Sequence, residues 1–349
     1  SQPVITAYNG KLRVAMKTST QQISLYQSSD GGASWTIVVG PQNAQSDVYD
    51  IDSYTDSYGT HIVWATGTIG NVEVYYMSYK DDGTGWTNPF IVTNLPAQEY
   101  GYRPKVTTSA IKAHIAFVYL PALFTLPRLY SRDLRLDNGQ WDGAYVISVP
   151  IQEEWFSSLN VTTLNDSIYA FIAANVATGD NHMTQNLYFA QRHMNDIAWR
   201  NPFMITTTSF GIQDSPMRNR FVAANGSLYF LTNCNYYSES PFTCFYPNVT
   251  LWRYQPASGF SIEYLYQGTL FGNEITAGSS LLLSNWFGGV YAFWLGYPYT
   301  YNMRRKPLAI TETIAERTLL TGKNWVSGQS ANIAYNFTGD ALSNSITNV

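Results

Sequence analysis

Charged residues are scarce in this chain. They make up only 13% of its 349 residues, and 24 acidic side chains outnumber the 20 lysines and arginines. Neither sign forms a long run, so the sequence lacks the basic footprint that is typical of nucleic-acid-binding proteins. The composition therefore argues against a nucleic-acid partner.

Long hydrophobic runs are also missing. A membrane-spanning helix needs roughly 18 consecutive apolar residues. The nearest approach, residues 279–296, is interrupted by Asn285 and a pair of glycines. We therefore expect no membrane insertion.

Only two cysteines occur, Cys234 and Cys244. In an oxidising compartment this pair would close a short loop and stabilise it by about 2–3 kcal/mol, whereas two free thiols are the alternative. Asn-x-Ser/Thr sequons favour the same secreted or extracellular location and predict glycosylation. Their asparagines are Asn160, Asn165, Asn225, Asn248 and Asn336.

Aromatic residues are abundant instead, with 27 Tyr, 17 Phe and 10 Trp, and this excess is typical of β-strands. Short alternating runs of apolar and polar residues recur roughly every 50 to 60 residues, which indicates an internal repeat. A preceding alternating run and a short turn predict a hairpin in each repeat. The second strands of these hairpins are GKLRVAM (10–16), GTHIVWA (59–65), KAHIAFV (112–118), DSIYAFI (166–172), GSLYFLT (226–232) and GGVYAFW (288–294).

A third alternating run follows each hairpin, and an aromatic residue then opens a fourth strand. These aromatic residues are Trp35, Trp86, Trp141, Trp199 and Phe260. Four antiparallel strands repeated about six times, without strong helical periodicity, predict an all-β six-bladed β-propeller. We expect a single domain over residues 1–349, in which 306–349 would close the sixth blade, add a strand to the first or start a seventh.

The turn between the third and fourth strands of the first repeat reads SSDGGASW (28–35). Asp30 is expected to accept hydrogen bonds from this turn, the glycines permit a positive φ, and Trp35 is expected to pack between adjacent sheets. The pattern of Ser28, Asp30, Gly32 and Trp35 resembles the Asp box, S-x-D-x-G-x-[ST]-W, of sialidases and other propellers, some of them non-enzymatic glycan-binding proteins. The resemblance supports the fold and implies a structural motif away from the active site.

The loops opposite these turns form a second face, where a ligand is expected at the mouth of the central channel. Acidic residues recur there beside Gln or Asn, in step with the repeats. They would accept hydrogen bonds from sugar hydroxyls or hold a cation; alternatively, they tie each loop to the neighbouring blade. These residues are Asp47, Glu99, Glu153, Asp214 and Glu274.

Aromatic side chains on loops of the same face would stack on a pyranose ring. The candidates are Trp155, Tyr236, Tyr237 and Tyr299, and Trp155 stands out because it lies beside Glu153. Covering the blade ends or forming an oligomer or partner interface is the alternative. The four histidines show no metal-ligand spacing, and His61 and His114 fall at matching strand positions, which favours packing. No cofactor is therefore expected beyond a cation at the channel mouth.

By resemblance, a sialidase would need three arginines around the substrate carboxylate, a Tyr–Glu nucleophile pair and an Asp acid/base. The N-terminal Arg-Ile-Pro signature is absent, and YRPK (102–105) only echoes it. Catalytic candidates for such an enzyme are Arg103, Arg218, Arg220, Tyr299 and Tyr301. The sequence favours an extracellular lectin-like propeller that binds glycans or glycoproteins without catalysis. A sialidase-like glycoside hydrolase and a structural propeller of a surface assembly are the alternatives.

Overall fold

The computed structural model describes residues 3–68, 71–82, 85–93, 99–121, 127–147, 155–177, 183–208, 222–234, 248–267, 282–286, 289–296 and 302–310. All regular secondary structure in these ranges is β-strand, arranged as 24 strands. Within the same ranges, no helix of sufficient length and hydropathy to cross a membrane is present. The fold is therefore all-β, as the alternating runs predict.

The chain forms two compact units. The first comprises Ser1–Ser28, Trp35–Ala177 and Asn186–Thr207, and the second comprises Ser29–Ser34, Thr178–Gln185 and Thr208–Val349. We describe the strands as six consecutive antiparallel groups. Four lie in the first unit, apart from Met183–Gln185 and Thr208 at strand ends of the fourth group, and two lie in the second.

The first unit contains groups 1 to 4. Group 1 is β1 (Val4–Tyr8), β2 (Lys11–Ser19), β3 (Gln22–Ser28) and β4 (Thr36–Asn43). Group 2 is β5 (Asp47–Asp56), β6 (Gly59–Thr68), β7 (Asn71–Lys80), β8 (Gly85–Trp86) and β9 (Phe90–Ile91). Group 3 is β10 (Tyr100–Ser109), β11 (Lys112–Leu120), β12 (Arg128–Arg135) and β13 (Trp141–Ile147). Group 4 is β14 (Trp155–Leu164), β15 (Ser167–Ala177), β16 (Met183–His193) and β17 (Phe203–Thr208). One parallel pair, Tyr100 with Val72, joins groups 2 and 3 into a nine-stranded sheet.

The second unit contains groups 5 and 6. Group 5 is β18 (Val222–Ala224), β19 (Ser227–Cys234), β20 (Asn248–Gln255) and β21 (Gly259–Gln267). Group 6 is β22 (Leu282–Trp286), β23 (Gly289–Gly296) and β24 (Asn302–Ile310). Residues 306–310 thus continue the third strand of group 6, and 311–349 lie outside the described residues.

Groups 1 to 5 each open with two strands joined by a two-residue loop, as predicted for the hairpins. Asn9, Asn165 and Asn225 occupy these loops with φ angles of 47°, 52° and 50°. Tight hairpin turns need this left-handed conformation, and asparagine tolerates it better than most residues. Turn chemistry therefore explains why asparagine recurs at these positions.

The prediction of a glycan at Asn160 is wrong for the folded chain. Asn160 lies within β14 and is only 4% exposed, so its amide has no room for an attached sugar. Asn165 and Asn225 are exposed. The side chain of Asn248 and the whole of Asn336 lie outside the described residues, so these sites stay predictions.

The core of the first unit lies between neighbouring groups. Strand β6 shows why, because Ile62 and Trp64 pack toward group 1 while Val63 packs toward group 3. A strand covered on both faces is expected to be apolar along its whole length. The residues of β6 from Gly59 to Thr66 are accordingly all buried.

The aromatic residues that open the fourth strands behave differently from one another. Trp86, Trp141 and Trp199 each pack into the cluster shared with the preceding group. Trp35 is 41% exposed, and its packing between adjacent sheets stays a prediction.

The first strands of groups 1 to 4, here called the inner strands, lie beside one another. The Thr6 and Thr55 hydroxyls are 2.6 Å apart across β1 and β5. The Val106 amide donates to Asp52 across β5 and β10 at 3.1 Å. Successive sheets that meet at their first strands are typical of a propeller, in which blades radiate from a common axis.

A buried ion network joins groups 3 and 4. Arg192 donates to both carboxylate oxygens of Asp133 at 2.7 Å, and His114 Nδ1 lies 2.8 Å from the same carboxylate. Burial alone raises the pKa of Asp133, but the hydrogen bond and charge of His114 and the charge of Arg192 outweigh it and hold that pKa below its ordinary value. The fold therefore depends on an ionised carboxylate in its interior.

Acid is expected to destabilise the protein through Asp133 and Asp56. Asp56 also has a lowered pKa, because hydrogen bonds from His61, Thr108 and the Tyr58 amide outweigh its desolvation. A carboxyl group whose pKa is lower in the folded chain stabilises the fold. This stabilisation is fully present when the pH is above the pKa of the group in the unfolded chain, about 3.9, and it is lost as the pH falls through the pKa in the folded chain. We expect the urea midpoint to fall between about pH 5 and pH 2. An unchanged midpoint over this range would contradict the prediction.

Candidate functional site

Three neighbouring inner strands are interrupted by a β-bulge close to their first residues. The register shifts between Val48 and Asp50 in β5, between Tyr102 and Lys105 in β10, and between Phe156 and Ser158 in β14. Bulges re-aim side chains and are over-represented beside active sites. We call this edge of the first unit the mouth, defined by Asp47–Asp50, Tyr100–Arg103 and Trp155–Phe156.

Arg103 connects the three bulged strands. Its amide donates to Asp50 Oδ2 on β5 at 3.3 Å, and its guanidinium donates to the Phe156 carbonyl on β14. Its φ is 52°, a left-handed conformation that costs an L-residue about 1–2 kcal/mol. Strain of this kind persists where the surroundings hold it in place, and it is concentrated at functional sites. Arg103 is thus the strained centre of the mouth.

The hydroxyl of Tyr102 adds an unused polar group beside Arg103. It is buried and has no hydrogen-bond partner among the described residues. Burial raises the pKa of Tyr102, while the charge of Arg103 lowers it and that of Asp50 raises it. The net shift is upward, so the phenol stays protonated and carries a hydrogen-bond donor.

The predicted acidic residues are only partly described. Asp47 is exposed at the start of β5, and Gln21 Nε2 of group 1 lies 3.4 Å from its carboxylate. Glu99 directly precedes β10 and is hydrogen-bonded to Tyr119. Desolvation, followed by the hydrogen bond and charge of Glu99, raises the pKa of Tyr119 to about 12. Glu99 therefore faces β11.

Several predicted functional residues lie outside the described residues, so their roles stay predictions. They are Glu153, Asp214, Arg218, Arg220, Tyr236, Tyr237, Cys244, Glu274, Tyr299 and Tyr301, together with the side chains of Trp155 and Cys234. The backbone of Trp155 opens β14 at the mouth, beside the bulge at Phe156. Of the predicted catalytic candidates, the structure places Arg103 at the mouth.

Asp50 is a mouth residue that the repeat pattern of the sequence does not reveal. It lies in the run DVYDIDSYTD, which reads as one alternating strand with a polar face. Asp50 and Asp52 in fact point to the next inner strand, where they accept the amides of Arg103 and Val106. Asp50 and Asp52 occupy alternate positions of a strand that is otherwise largely buried. This spacing is the signal that could have identified the face of β5 that points to β10.

The SSDGGASW turn forms the hydrogen bonds expected of Asp30. Its Oδ1 accepts from the Ser34 amide at 3.0 Å, and its Oδ2 from the Ser34 hydroxyl at 2.6 Å. Gly31 and Gly32 adopt φ values of 75° and 99°. The carboxylate thus closes its own turn, which is a structural use of the motif.

Among the described residues, no group of three His, Cys, Asp or Glu side chains comes together as a metal site. The mouth is instead built from a guanidinium, a phenol and carboxylates, which recognise polar ligands by hydrogen bonding.

Comparison with known proteins gives matches in structure alone. No family model matches the chain, and no curated protein sequence matches it. An α-L-arabinanase of Penicillium chrysogenum complexed with arabinobiose has a TM-score of 0.53 at 11% identity, covering 88% of this chain and 92% of that chain. The polysaccharide lyase Uly1 has a TM-score of 0.53 at 9% identity, covering 87% of this chain and 75% of that chain. The phage phi92 endosialidase has a TM-score of 0.49 at 11% identity, covering 97% and 69%. At these identities the first two matches show the fold alone: the chain is an all-β protein of propeller type with four-stranded antiparallel sheets.

Proposed function

We propose that this protein is a glycoside hydrolase of sialidase-like type, built as a six-bladed propeller that binds its glycan at the mouth. The observation that carries the proposal is the strained Arg103, held between Asp50 and the Phe156 carbonyl where three inner strands are bulged. The two structural neighbours with TM-scores of 0.53 are an arabinanase and a polysaccharide lyase, which supports a carbohydrate ligand. These observations favour catalysis over the lectin-like function that the sequence suggested.

The mouth offers groups that glycoside hydrolysis uses. Most glycosidases use two carboxyl groups, whereas sialidases have a tyrosine nucleophile. By the resemblance to sialidases, the acid/base would be an Asp, and Asp50, beside Arg103, or Asp47 on the same strand would supply it. Glu153, which precedes β14, would be the glutamate that activates the tyrosine. Arg103 and the Tyr102 hydroxyl would bind and orient the sugar through charge-assisted and neutral hydrogen bonds.

Arg103→Gly tests the role of the mouth with little risk to the fold. Glycine adopts the φ of 52° without steric cost, so the substitution removes the guanidinium while relieving backbone strain. We expect kcat/KM on fluorogenic sialosides and aryl arabinosides to fall by about 100-fold, the scale on which one positioned charged group matters. The melting temperature should change by no more than about 4–8 °C.

Asn165→Gly is the matched control. Asn165 has the same φ of 52° in an exposed hairpin loop of group 4. This variant should retain full turnover. If the wild type binds oligosaccharide without turning it over, and Arg103→Gly abolishes that binding, then the protein is a lectin and not an enzyme. If neither turnover nor binding is observed, both glycan functions fail and a structural propeller is left.

A further inference from the structure

A cavity lies between groups 2 and 3, and its lining includes none of the residues that define the mouth. It has a volume of about 310 Å³, it is open to solvent, and Ala144 of β13 is an exposed residue of its lining. Small-molecule sites span about 300–1,000 Å³, so this volume suits a single sugar residue. The lining residues are Val92, Thr93, Phe117, Tyr119, Tyr130, Arg132 and Ala144.

Aromatic rings form one wall of the cavity. The rings of Tyr119 and Tyr130 meet edge to face at 85° with centroids 5.1 Å apart, and Phe117 stacks on Tyr130 at 6.2 Å. The wall is therefore held in a fixed geometry by its own ring contacts. A ring face beside a second ring edge suits the apolar face of a pyranose.

Arg132 gives the cavity a positive charge. One guanidinium nitrogen donates to the Val92 carbonyl, and the group lies 4.9 Å from the centroid of the Trp141 ring. Its Nε is buried and has no hydrogen-bond partner among the described residues. Burial also lowers the pKa of Arg132, as expected of a cation that is held partly out of water. A buried donor without a partner is costly, and a bound acceptor would satisfy it.

The two carboxylates near the cavity, Glu73 and Glu99, already accept hydrogen bonds from protein groups. Thr93 donates its hydroxyl proton to Glu73 and accepts the Val74 amide at 2.9 Å, so this hydroxyl is used on both sides. Glu99 is hydrogen-bonded to Tyr119, and the charge of Arg128 also reaches Tyr119. The guanidinium of Arg132 is thus the charged group that lines the cavity itself.

We propose that this cavity binds one carboxylate-bearing sugar residue, of the uronic acid class, as a secondary glycan site. The face of one ring of the Tyr119–Tyr130 pair would stack on the sugar, the edge of the other would contact it, and Arg132 would bind its carboxylate. Arginine is suited to this role because its planar donors match carboxylate geometry. The inference rests on the proposed function, because it assumes that the protein acts on glycans.

Glucuronate and glucose are the matched probes, since they differ only in the group at C6. Saturation-transfer NMR titrations should show glucuronate binding at least about 10-fold more tightly, with an affinity that falls as salt rises. Ala144→Phe places a large ring in the lining of the cavity and should abolish this binding. Val146→Phe is the control, because Val146 is 46% exposed on the same face of β13 but does not line the cavity.

Arg132→Lys separates charge from geometry. It keeps a positive charge but removes the planar donors, and we expect glucuronate to bind about 10-fold more weakly. Equal binding of glucose and glucuronate would overturn the carboxylate class. Glucuronate binding that survives Ala144→Phe would overturn the cavity as its site.

The experiment also keeps the two proposals apart. Glucuronate binding that persists in Arg103→Gly and is lost in Ala144→Phe assigns the sugar to the cavity. Absence of turnover on every glycoside would remove the proposed hydrolase and would leave this binding result standing. Turnover without glucuronate binding would leave the proposed hydrolase standing and would overturn the secondary glycan site.

Discussion

Asp133→Asn is expected to lower the free energy of unfolding by about 3–5 kcal/mol, the cost of breaking a buried ion pair by removing one partner. Asp133 is 0% exposed and Arg192 is 1% exposed, so water cannot replace the lost charge. Asparagine keeps the shape of the side chain, which excludes a cavity as the cause. Urea unfolding of the wild type and the variant at pH 7 measures the difference.

The aromatic surroundings of Arg192 add to this expectation. Its guanidinium lies 4.2 Å from the ring centroid of Tyr145 and 5.6 Å from that of Trp199. These contacts hold the cation between groups 3 and 4 whether or not the carboxylate is present. Without Asp133 the protein therefore has to keep an uncompensated charge inside or open the interface between the two groups.

A double variant separates the effect of the unpaired Arg192 charge from the other effects of Asp133→Asn. Adding Arg192→Met to Asp133→Asn removes that charge and should restore at least half of the lost stability, because apolar replacements of buried pairs are often neutral. Asp137→Asn is the surface control. Asp137 pairs with Arg135 at 2.9 Å, and both side chains are exposed, so we expect no measurable change. A loss in Asp133→Asn no larger than that of the control would contradict the prediction.

Local pattern was sufficient to predict much of the fold. The alternation of GTHIVWA and KAHIAFV, with a tight turn before each, predicted β6 and β11 as the second strands of hairpins. The same reasoning identified His61 and His114 as packing residues, and both are buried. Period-two alternation and turn residues act over a few positions, so a single repeat contains the information.

The contacts between repeats could not be predicted in this way. Arg192 and Asp133 are 59 residues apart, and no short pattern links them. Trp35 has the same position in its repeat as Trp86, yet it is 41% exposed, whereas Trp86 packs against residues of the preceding group. Residue type and repeat position thus predict strands, whereas they do not predict how deeply an equivalent side chain is buried.

The mouth was predicted in outline and missed in detail. Arg103 was identified from YRPK, and Asp47 from the periodic acids, but the bulges were not foreseen. A bulge is a mismatch between two strands, so it depends on the partner strand and leaves little trace in one run of sequence. Asp50 was missed for the same reason, because the bulge at Val48 and Asp50 changes which side chains face β10.

Gly59→Ala is expected to lower the free energy of unfolding by more than about 3 kcal/mol. Gly59 starts β6 with a φ of 137°, a conformation that is almost restricted to glycine. A Cβ at this position would lie 2.0 Å from the carbonyl oxygen of Tyr79, which belongs to the backbone of β7. Because the obstacle is backbone, relief requires β6 and β7 to move apart, and the ladder between them holds the centre of group 2. Thermal and urea unfolding of the variant measure the cost.

Gly139→Ala separates the two parts of this cost. Gly139 also has a positive φ, of 70°, but a Cβ there would meet nothing within 4 Å. It should therefore show only the backbone preference, about 1–2 kcal/mol. The excess in Gly59→Ala then measures the collision with β7, and it should appear with a reduced urea midpoint and an unchanged slope. If the two variants lose the same free energy of unfolding, then β7 moves away from the added Cβ without an energetic cost. The pairing of β6 and β7 would then not be rigid.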